Sequence, residues 1–354
     1  MQQASRGAVL VTGGAGYIGA HTAKALAEQG YRPVVFDSLR SGFLPAVRWG
    51  DFVHGDIRDG RALREAIAAH GIREAIHFAS LIEVGRSVER PDLFWDVNVG
   101  GTACLLDALR DCGVNRLVFS SSAAVYGQPE GLAAADLLSE TLPTVPTSPY
   151  GDTKLACERM IAAYCRAFGL SAVALRYFNA AGADPSGLIG EAHDPETHLI
   201  PLAIAAALGT GKPLTVFGQD FPTPDGSCLR DYIHVTDLAA AHVAALDVEL
   251  PAGAFEAVNV GTGRGWSVLE AIEAVERALC RPVPRTLGAR RAGDPPGLVA
   301  DPSRARTLLG WSPVRSSLDQ IVQDAARWHA DQRYGRSVKV NLEGNKETIS
   351  SLRG

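Results

Sequence analysis

Long apolar runs, close cysteine pairs and clustered basic residues are all missing from this 354-residue chain. No apolar stretch approaches the roughly 20 residues that a membrane-spanning helix needs, so a membrane protein is not expected. The six cysteines (Cys104, Cys112, Cys157, Cys165, Cys228, Cys280) contain no Cys-x-x-Cys pair and read as buried thiols rather than disulfides. Nine histidines form neither a His-Glu-x-x-His pattern nor a tight Cys/His cluster, so no metal is expected. A net charge of −5 without a long basic stretch argues against nucleic acid, while leaving room for a local positive pocket that binds a phosphorylated ligand. Residues Met1–Gly7 carry no apolar targeting segment, which gives the cytoplasm as the expected address.

What is present is the composition of an ordinary soluble protein, 46% hydrophobic and 21% charged, with length enough for two lobes. Strands are expected at Ala8–Thr12, Pro33–Phe36, Phe52–His54, Ala75–Phe78, Arg116–Ser120 and Ala172–Arg176. Helices at Ile18–Gln29, Arg61–Ala69, Pro91–Asp111 and Pro149–Phe168 alternate with them, each long enough to cross a sheet face. The fold class is therefore α/β, a doubly wound parallel sheet with a smaller α/β substrate lobe. Further on, helices are expected at Leu199–Leu208, Asp231–Asp247 and Ser267–Leu279, the last opened by Ser267 as N-cap, with a short strand at Ala257–Val260. The expected division is 1–178 with 229–262 returning to it, a lobe of 179–228 and 263–335, and a polar tail at 336–354.

Directly after the first strand comes Gly13-Gly14-Ala15-Gly16-Tyr17-Ile18-Gly19. Gly13 permits a tight turn, Gly16 lets the backbone approach a pyrophosphate, and Gly19 lets the helix pack closely while its N-terminus faces the negative charge. The second strand ends at Asp37, 18 residues after Gly19, where a carboxylate can hold the adenosine ribose and would repel a 2′-phosphate. NAD is thus expected over NADP, although Arg40 stands nearby. Asp56 and Ile57 could hold the adenine, but Gly55-Asp56 could equally be a turn.

Tyr150 and Lys154 lie four apart at the start of a helix that Pro149 can begin. A lysine cation and a positive nicotinamide ring would both favour the phenolate, making Tyr150 a proton acceptor. Ser120-Ser121-Ser122 follows the fifth strand, at the edge where open α/β sheets bind ligands, so that a serine hydroxyl can bond a sugar oxygen and relay its proton.

This ordered set, with Arg176-Tyr177-Phe178-Asn179, His77-Phe78-Ala79, Asn98-Val99-Gly100-Gly101-Thr102, Leu229–Val235 and Arg291-Ala292-Gly293-Asp294, resembles the UDP-glucose 4-epimerase family of the extended short-chain dehydrogenase/reductases over roughly residues 8–330. The resemblance implies that Ser122 and Tyr150 are catalytic and that Lys154 supports both Tyr150 and NAD. Phe78, Ala79, Asn98, Ser120 and Tyr177 would line the cofactor beside Gly13, Gly16, Tyr17, Ile18 and Gly19. Asn179, His198, Leu199, Arg230 and Asp294 would bind the UDP-sugar, His198 standing where the family often has Asn. A guanidinium fork suits a diphosphate, the competing use of Arg230 being an ion pair with Asp231. Two departures stand out: Ile82 replaces a lysine that faces the pyrophosphate, with Arg86 as a substitute, and Ala124 replaces a common Thr.

The implied reaction is reversible epimerisation at C4 of a UDP-hexose through a 4-keto sugar. A UDP-xylose or UDP-glucuronate epimerase would use the same apparatus. A 4,6-dehydratase would want acidic residues where Ala123-Ala124 stand, and a non-catalytic NAD-sensing module would usually lack Tyr150 or Lys154. Leu298 falls where residue size goes with acceptance or exclusion of N-acetylated sugars. Homodimerisation is expected through Pro91–Asp111 and Pro149–Phe168, on apolar residues including Leu105, Leu106, Leu109 and Met160.

Overall fold

The computed structural model describes residues 6–129, 131–291 and 294–335; the expected polar tail lies outside them, as do Ala292 and Gly293. Seven parallel strands form the main sheet: β1 (Ala8–Thr12), β2 (Arg32–Asp37), β3 (Asp51–His54), β4 (Ile72–His77), β5 (Arg116–Ser120), β6 (Ser171–Tyr177) and β7 (Phe255–Val260). Their spatial order is β7-β6-β5-β4-β1-β2-β3. The chain thus reverses direction across the sheet between β1 and β4, where ligands of such sheets bind.

Both faces of the sheet are apolar because both are covered. Ala8 and Leu10 point to one side with Leu63, Leu105 and Ile161, whereas Val9 and Val11 point to the other with Leu26, Leu238 and Val258. Helices Gly60–His70, Gly101–Asp111 and Pro149–Phe168 cover the first face, and Tyr17–Glu28 packs with Val235–Asp247 over the second. A third cluster joins Ile200, Ile204, Val216, Ile272, Val275 and Ile321 outside the sheet. Ala305, Leu309 and Trp311, expected in the lobe, return to the core of the large sheet beside Val258.

Three sequence expectations change. Asp231–His234 is not helical: Tyr232–His234 is a strand paired with Asn179–Ala181, and the helix starts at Val235, where His234 Nδ1 accepts the Thr236 N–H. The aromatic and β-branched Tyr232-Ile233 suit that short strand. The helix expected over 91–111 is broken by a π-helical stretch, Trp95–Gly100, between Pro91–Phe94 and Gly101–Asp111. Gly101 lies so close to Ile57 that a Cβ would stand 2.5 Å from its Cγ2. Lastly, Leu105, Leu106 and Leu109 are buried in the chain's own core and are not available to a partner.

Candidate active site

The glycine loop turns at Gly13, whose φ of +73° favours glycine and whose missing Cβ would meet the Ala79 nitrogen at 2.6 Å. Phe78 and Ala79 both donate backbone N–H bonds to the Thr12 carbonyl, so the ends of β1 and β4 are fastened together at the switch point. At Gly19 a Cβ would stand 2.4 Å from the Gly13 carbonyl, so the helix could not pack as it does with any other residue. A Cβ on Gly16 would meet only that same carbonyl, at 3.3 Å. Protein packing leaves that side of the turn open, as a phosphate cradle requires.

Asp37 is buried at the end of β2 and accepts N–H bonds from Ala15 at 3.0 Å and Leu39 at 2.8 Å. Burial raises its pKa, against which those two bonds work. A carboxylate so placed fits the ribose of an NAD whose pyrophosphate meets the loop. Asp56 pairs with Arg58 at 2.8 and 2.6 Å, and Ile57 is buried under the sheet helices. Tyr17 donates its hydroxyl to the Gly182 carbonyl, and Ile18 packs against the second face. Asn98 has both amide hydrogens in use, on the Leu81 carbonyl and Thr153 Oγ1, and accepts the Leu81 N–H. Its side chain therefore positions the 79–81 loop. Ile82 is exposed, and Arg86, half exposed, leans toward Glu83 at 3.6 Å.

Helix Pro149–Phe168 is capped by Ser148, which accepts the Gly151 N–H, with Pro149 in its first turn. That cap sets Tyr150 and Lys154 one turn apart, facing the ends of β4 and β5. Tyr150 is buried, with the Ser122 hydroxyl close enough to its phenol to favour the phenolate. Lys154 Nζ donates to Ser80 Oγ at 3.0 Å and to the Ser120 carbonyl at 2.8 Å, and Ser120 Oγ lies 2.9 Å from the Tyr177 hydroxyl. Burial drives both reacting groups toward neutrality: the Lys154 pKa falls to about 8, and that of Tyr150 rises well above its usual value, opposed by the Ser122 bond. The expected help from Lys154 is thus outweighed in the protein itself, its ammonium standing 5.8 Å from the centre of the Tyr150 ring.

Beneath these groups runs a buried network that sequence reasoning missed. Glu158, one turn beyond Lys154, forms a two-pronged pair with Arg176 at 2.9 and 2.6 Å and accepts the Ser121 hydroxyl at 2.5 Å. Arg176 also donates to the Tyr126 hydroxyl, which donates to Asn259. The serine loop, the Tyr150 helix and β6 are locked to one another through side chains. The signal was available: Glu158 shares a helix face with Lys154 and Tyr150.

Opposite stands the wall from which a nucleotide would be held. Arg230 is mostly buried and pairs with Asp294 at 3.2 Å, not with Asp231, which instead accepts bonds from Thr262, Gly263 and Ala300. Leu298 lies opposite Arg230 in a parallel pair and packs with Ala123, Tyr126, Leu155 and Phe178, beside the turn after Ser122. The Asn179 N–H donates to the Asp231 carbonyl. His198 precedes helix Leu199–Leu208, its Nδ1 2.8 Å from Glu191 and 2.9 Å from Glu196. Burial opposes a charge on His198, but these carboxylates outweigh it and raise its pKa to about 10.

The sequence relationships agree with this geometry. The chain is 51% identical over 322 residues to the UDP-glucose 4-epimerase of Rhizobium leguminosarum, covering 91% of this chain and 97% of that one. The crystal structure of UDP-glucose 4-epimerase from Brucella ovis in complex with NAD superimposes with a TM-score of 0.86 at 52% identity, over 90% of this chain and 97% of its own. A Stenotrophomonas maltophila UDP-glucose 4-epimerase, solved with NAD and formylated UDP-arabinopyranose, gives 0.87 at 40% identity over 92% and 98%. Residues 9–261 match the model of one family along the whole span from glycine loop to β7, and the chain belongs to that family, the NAD-dependent epimerases/dehydratases.

Proposed function

We propose that the protein interconverts UDP-galactose and UDP-glucose by inverting C4 of the hexose, as an NAD-dependent UDP-sugar 4-epimerase. The observation that carries this reading is the buried Tyr150 phenol set beside Ser122 at the sheet edge, one helical turn from Lys154, whose ammonium is held by Ser80 and the Ser120 carbonyl. NAD bound along Gly13, Gly16, Gly19 and Asp37 would supply a reversible hydride acceptor that leaves each cycle as it entered. Tyr150 takes the proton of the C4 hydroxyl, directly or through Ser122, and returns it to the same oxygen once the 4-keto sugar has turned, so that hydride from a bound cofactor would reach the opposite face of C4. Lys154, held by Ser80 and the Ser120 carbonyl, supplies a cation near the phenol and a donor for the nicotinamide ribose. Because a buried phenol resists ionisation, Ser122, the Lys154 cation and the positive charge of a bound oxidised cofactor would together favour the phenolate.

The 4-keto sugar must turn over between the two halves of the reaction. Binding energy therefore belongs on the UDP, through Arg230, Asp294, Asn179, His198 and Leu199, and not on the hexose. This reading divides the chain into an NAD-binding part, 1–178 with 229–262, and a nucleotide-sugar lobe, 179–228 with 263–335, whose helix Ser303–Leu309 leans on the larger sheet. All six cysteines are free thiols, which suits the cytoplasm, and no described helix is long and apolar enough to cross a membrane. A homodimer would use the outer surface of the two helical segments, where Trp95 is 44% and Phe168 55% exposed. Sedimentation as a monomer at micromolar concentration would count against that.

The deciding experiment incubates the purified protein with UDP-galactose, without added NAD, and follows products by proton NMR. Appearance of UDP-glucose is expected. A stable 4-keto-6-deoxy product would make it a dehydratase, and turnover of UDP-xylose alone would make it a pentose epimerase.

A further inference from the structure

Sequence spacing gave no reason to expect a metal, yet folding brings together Glu191, His193, Glu196 and His198, whose ligand atoms all lie within 4.8 Å of one another. Both imidazoles turn their Nδ1 atoms toward the same buried oxygen, Glu191 Oε1, at 3.0 Å from His193 and 2.8 Å from His198. Glu196 closes the group, 2.9 Å from His198 Nδ1 and 3.8 Å from His193 Nδ1. In a tetrahedral zinc site with bonds near 2.0–2.2 Å, neighbouring ligand atoms stand about 3.4 Å apart. Three of the observed nitrogen–oxygen separations are ion-pair lengths shorter than that and the fourth, 3.8 Å, is longer, so binding an ion would spread the group by a few tenths of an ångström and release the imidazole proton. We propose that these four side chains form a binding site for one divalent transition-metal ion of the zinc class per chain.

The donor set favours that class, since imidazole selects zinc-like ions over magnesium or calcium. Two carboxylates neutralise the ion's charge. Glu191 is 3% exposed, whereas His198 is 40% exposed, so an ion can reach the group from one side while its deepest ligand is fixed. Four protein ligands fill a tetrahedral shell, which makes the site structural and leaves no position for a reacting water. Its place in the fold says what it would hold. The segment runs from the strand Asn179–Ala181 to helix Leu199–Leu208, and the His193 ring lies edge-on to Tyr17 in the first turn of the glycine-loop helix, 6.1 Å between centres. A bound ion would fix His198 and the start of the helix Leu199–Leu208 that it precedes against the cofactor side of the cleft. The inference stands on this cluster, and because His198 is also assigned above to UDP, metal binding is tested without substrate.

Protein stripped with a chelator and dialysed is titrated with zinc chloride by calorimetry. One site per chain is expected, and the His193→Ala/Glu196→Gln double variant should bind more than about a hundredfold more weakly, beyond the loss that altered outer contacts to a metal produce. Absence of stoichiometric binding, or unchanged affinity in the variant as the free cysteines would give, overturns the site. If the variant does not fold, crystals of the parent grown with zinc decide. An anomalous peak among the four side chains is expected, and a peak elsewhere or none overturns it.

Discussion

The sheet edge around Tyr150 and the segment around Glu191 both gather ionisable groups, but burial acts on them with opposite results. At the sheet edge burial is the largest influence on these groups and prevails: His77 falls to about 3, His242 to about 4, Lys154 to about 8, and Tyr150 rises. In the lobe, carboxylates face imidazoles directly, and burial is overcome: His198 rises to about 10 and Glu191 falls well below its usual range. One region pushes its groups toward neutrality, the other keeps fixed charges. That division suits a reaction in which the proton moves at the sheet edge while the nucleotide stays anchored.

The exception at the sheet edge offers the largest test. Glu158 and Arg176 are a fully paired ion pair beneath the serine loop, and Glu158→Ala leaves a buried guanidinium without its partner. A loss of about 3–5 kcal/mol of stability is expected in urea unfolding. A loss below 1 kcal/mol, roughly the worth of an exposed pair, would show that the network does not hold the loop.

Tyr150→Phe removes the proton acceptor and its bond with Ser122 while leaving the lobe unchanged. Turnover should fall at least about a hundredfold, or about 2.7 kcal/mol in the barrier, with UDP affinity nearly intact by calorimetry. Near-normal turnover would move the proton chemistry elsewhere.

Acid should find the sheet region first. His77 is buried between Thr12 and Thr102, which bond its two nitrogens at 2.7 and 3.0 Å, and burial keeps it neutral in the folded state. Below the unfolded value near 6.5 the unfolded chain takes up protons that folded His77 and His242 refuse. Stability therefore falls as pH drops from 6.5 to 5, by up to about 2 kcal/mol for each histidine. Thermal melts at pH 7, 6 and 5 check the sign, and a melting temperature that rises on acidification would contradict it.

The smallest effect concerns the boundary between the two regions, where Leu298 packs beside the turn after Ser122. Its branched side chain offers an acetamide no hydrogen bond, so UDP-glucose should be preferred over UDP-N-acetylglucosamine by about tenfold in kcat/KM. Leu298→Ser should narrow that ratio. Equal efficiencies in the parent would remove the preference, and an unchanged ratio in the variant would clear Leu298 of causing it.

Period and punctuation carried much of this architecture into view. β1 and β5 and the helices Pro149–Phe168 and Leu199–Leu208 have the limits expected from sequence, because apolar runs and a Pro or Gly boundary are local properties. The roles of Gly13 and Gly19 were likewise legible, since the demand for a missing Cβ is written into the residue itself. What sequence could not decide was which polar groups meet. Arg230 finds Asp294, 64 residues away, instead of its neighbour Asp231. Lys154 is close enough in sequence to assist Tyr150, but its charge is set by burial, which only the packed chain provides. Glu191, His193, Glu196 and His198 are near in sequence yet match no familiar spacing, and it is the folded loop that turns them toward one another. Local propensity acts between neighbours along the chain, whereas partnership and desolvation depend on what tertiary packing brings within a few ångströms.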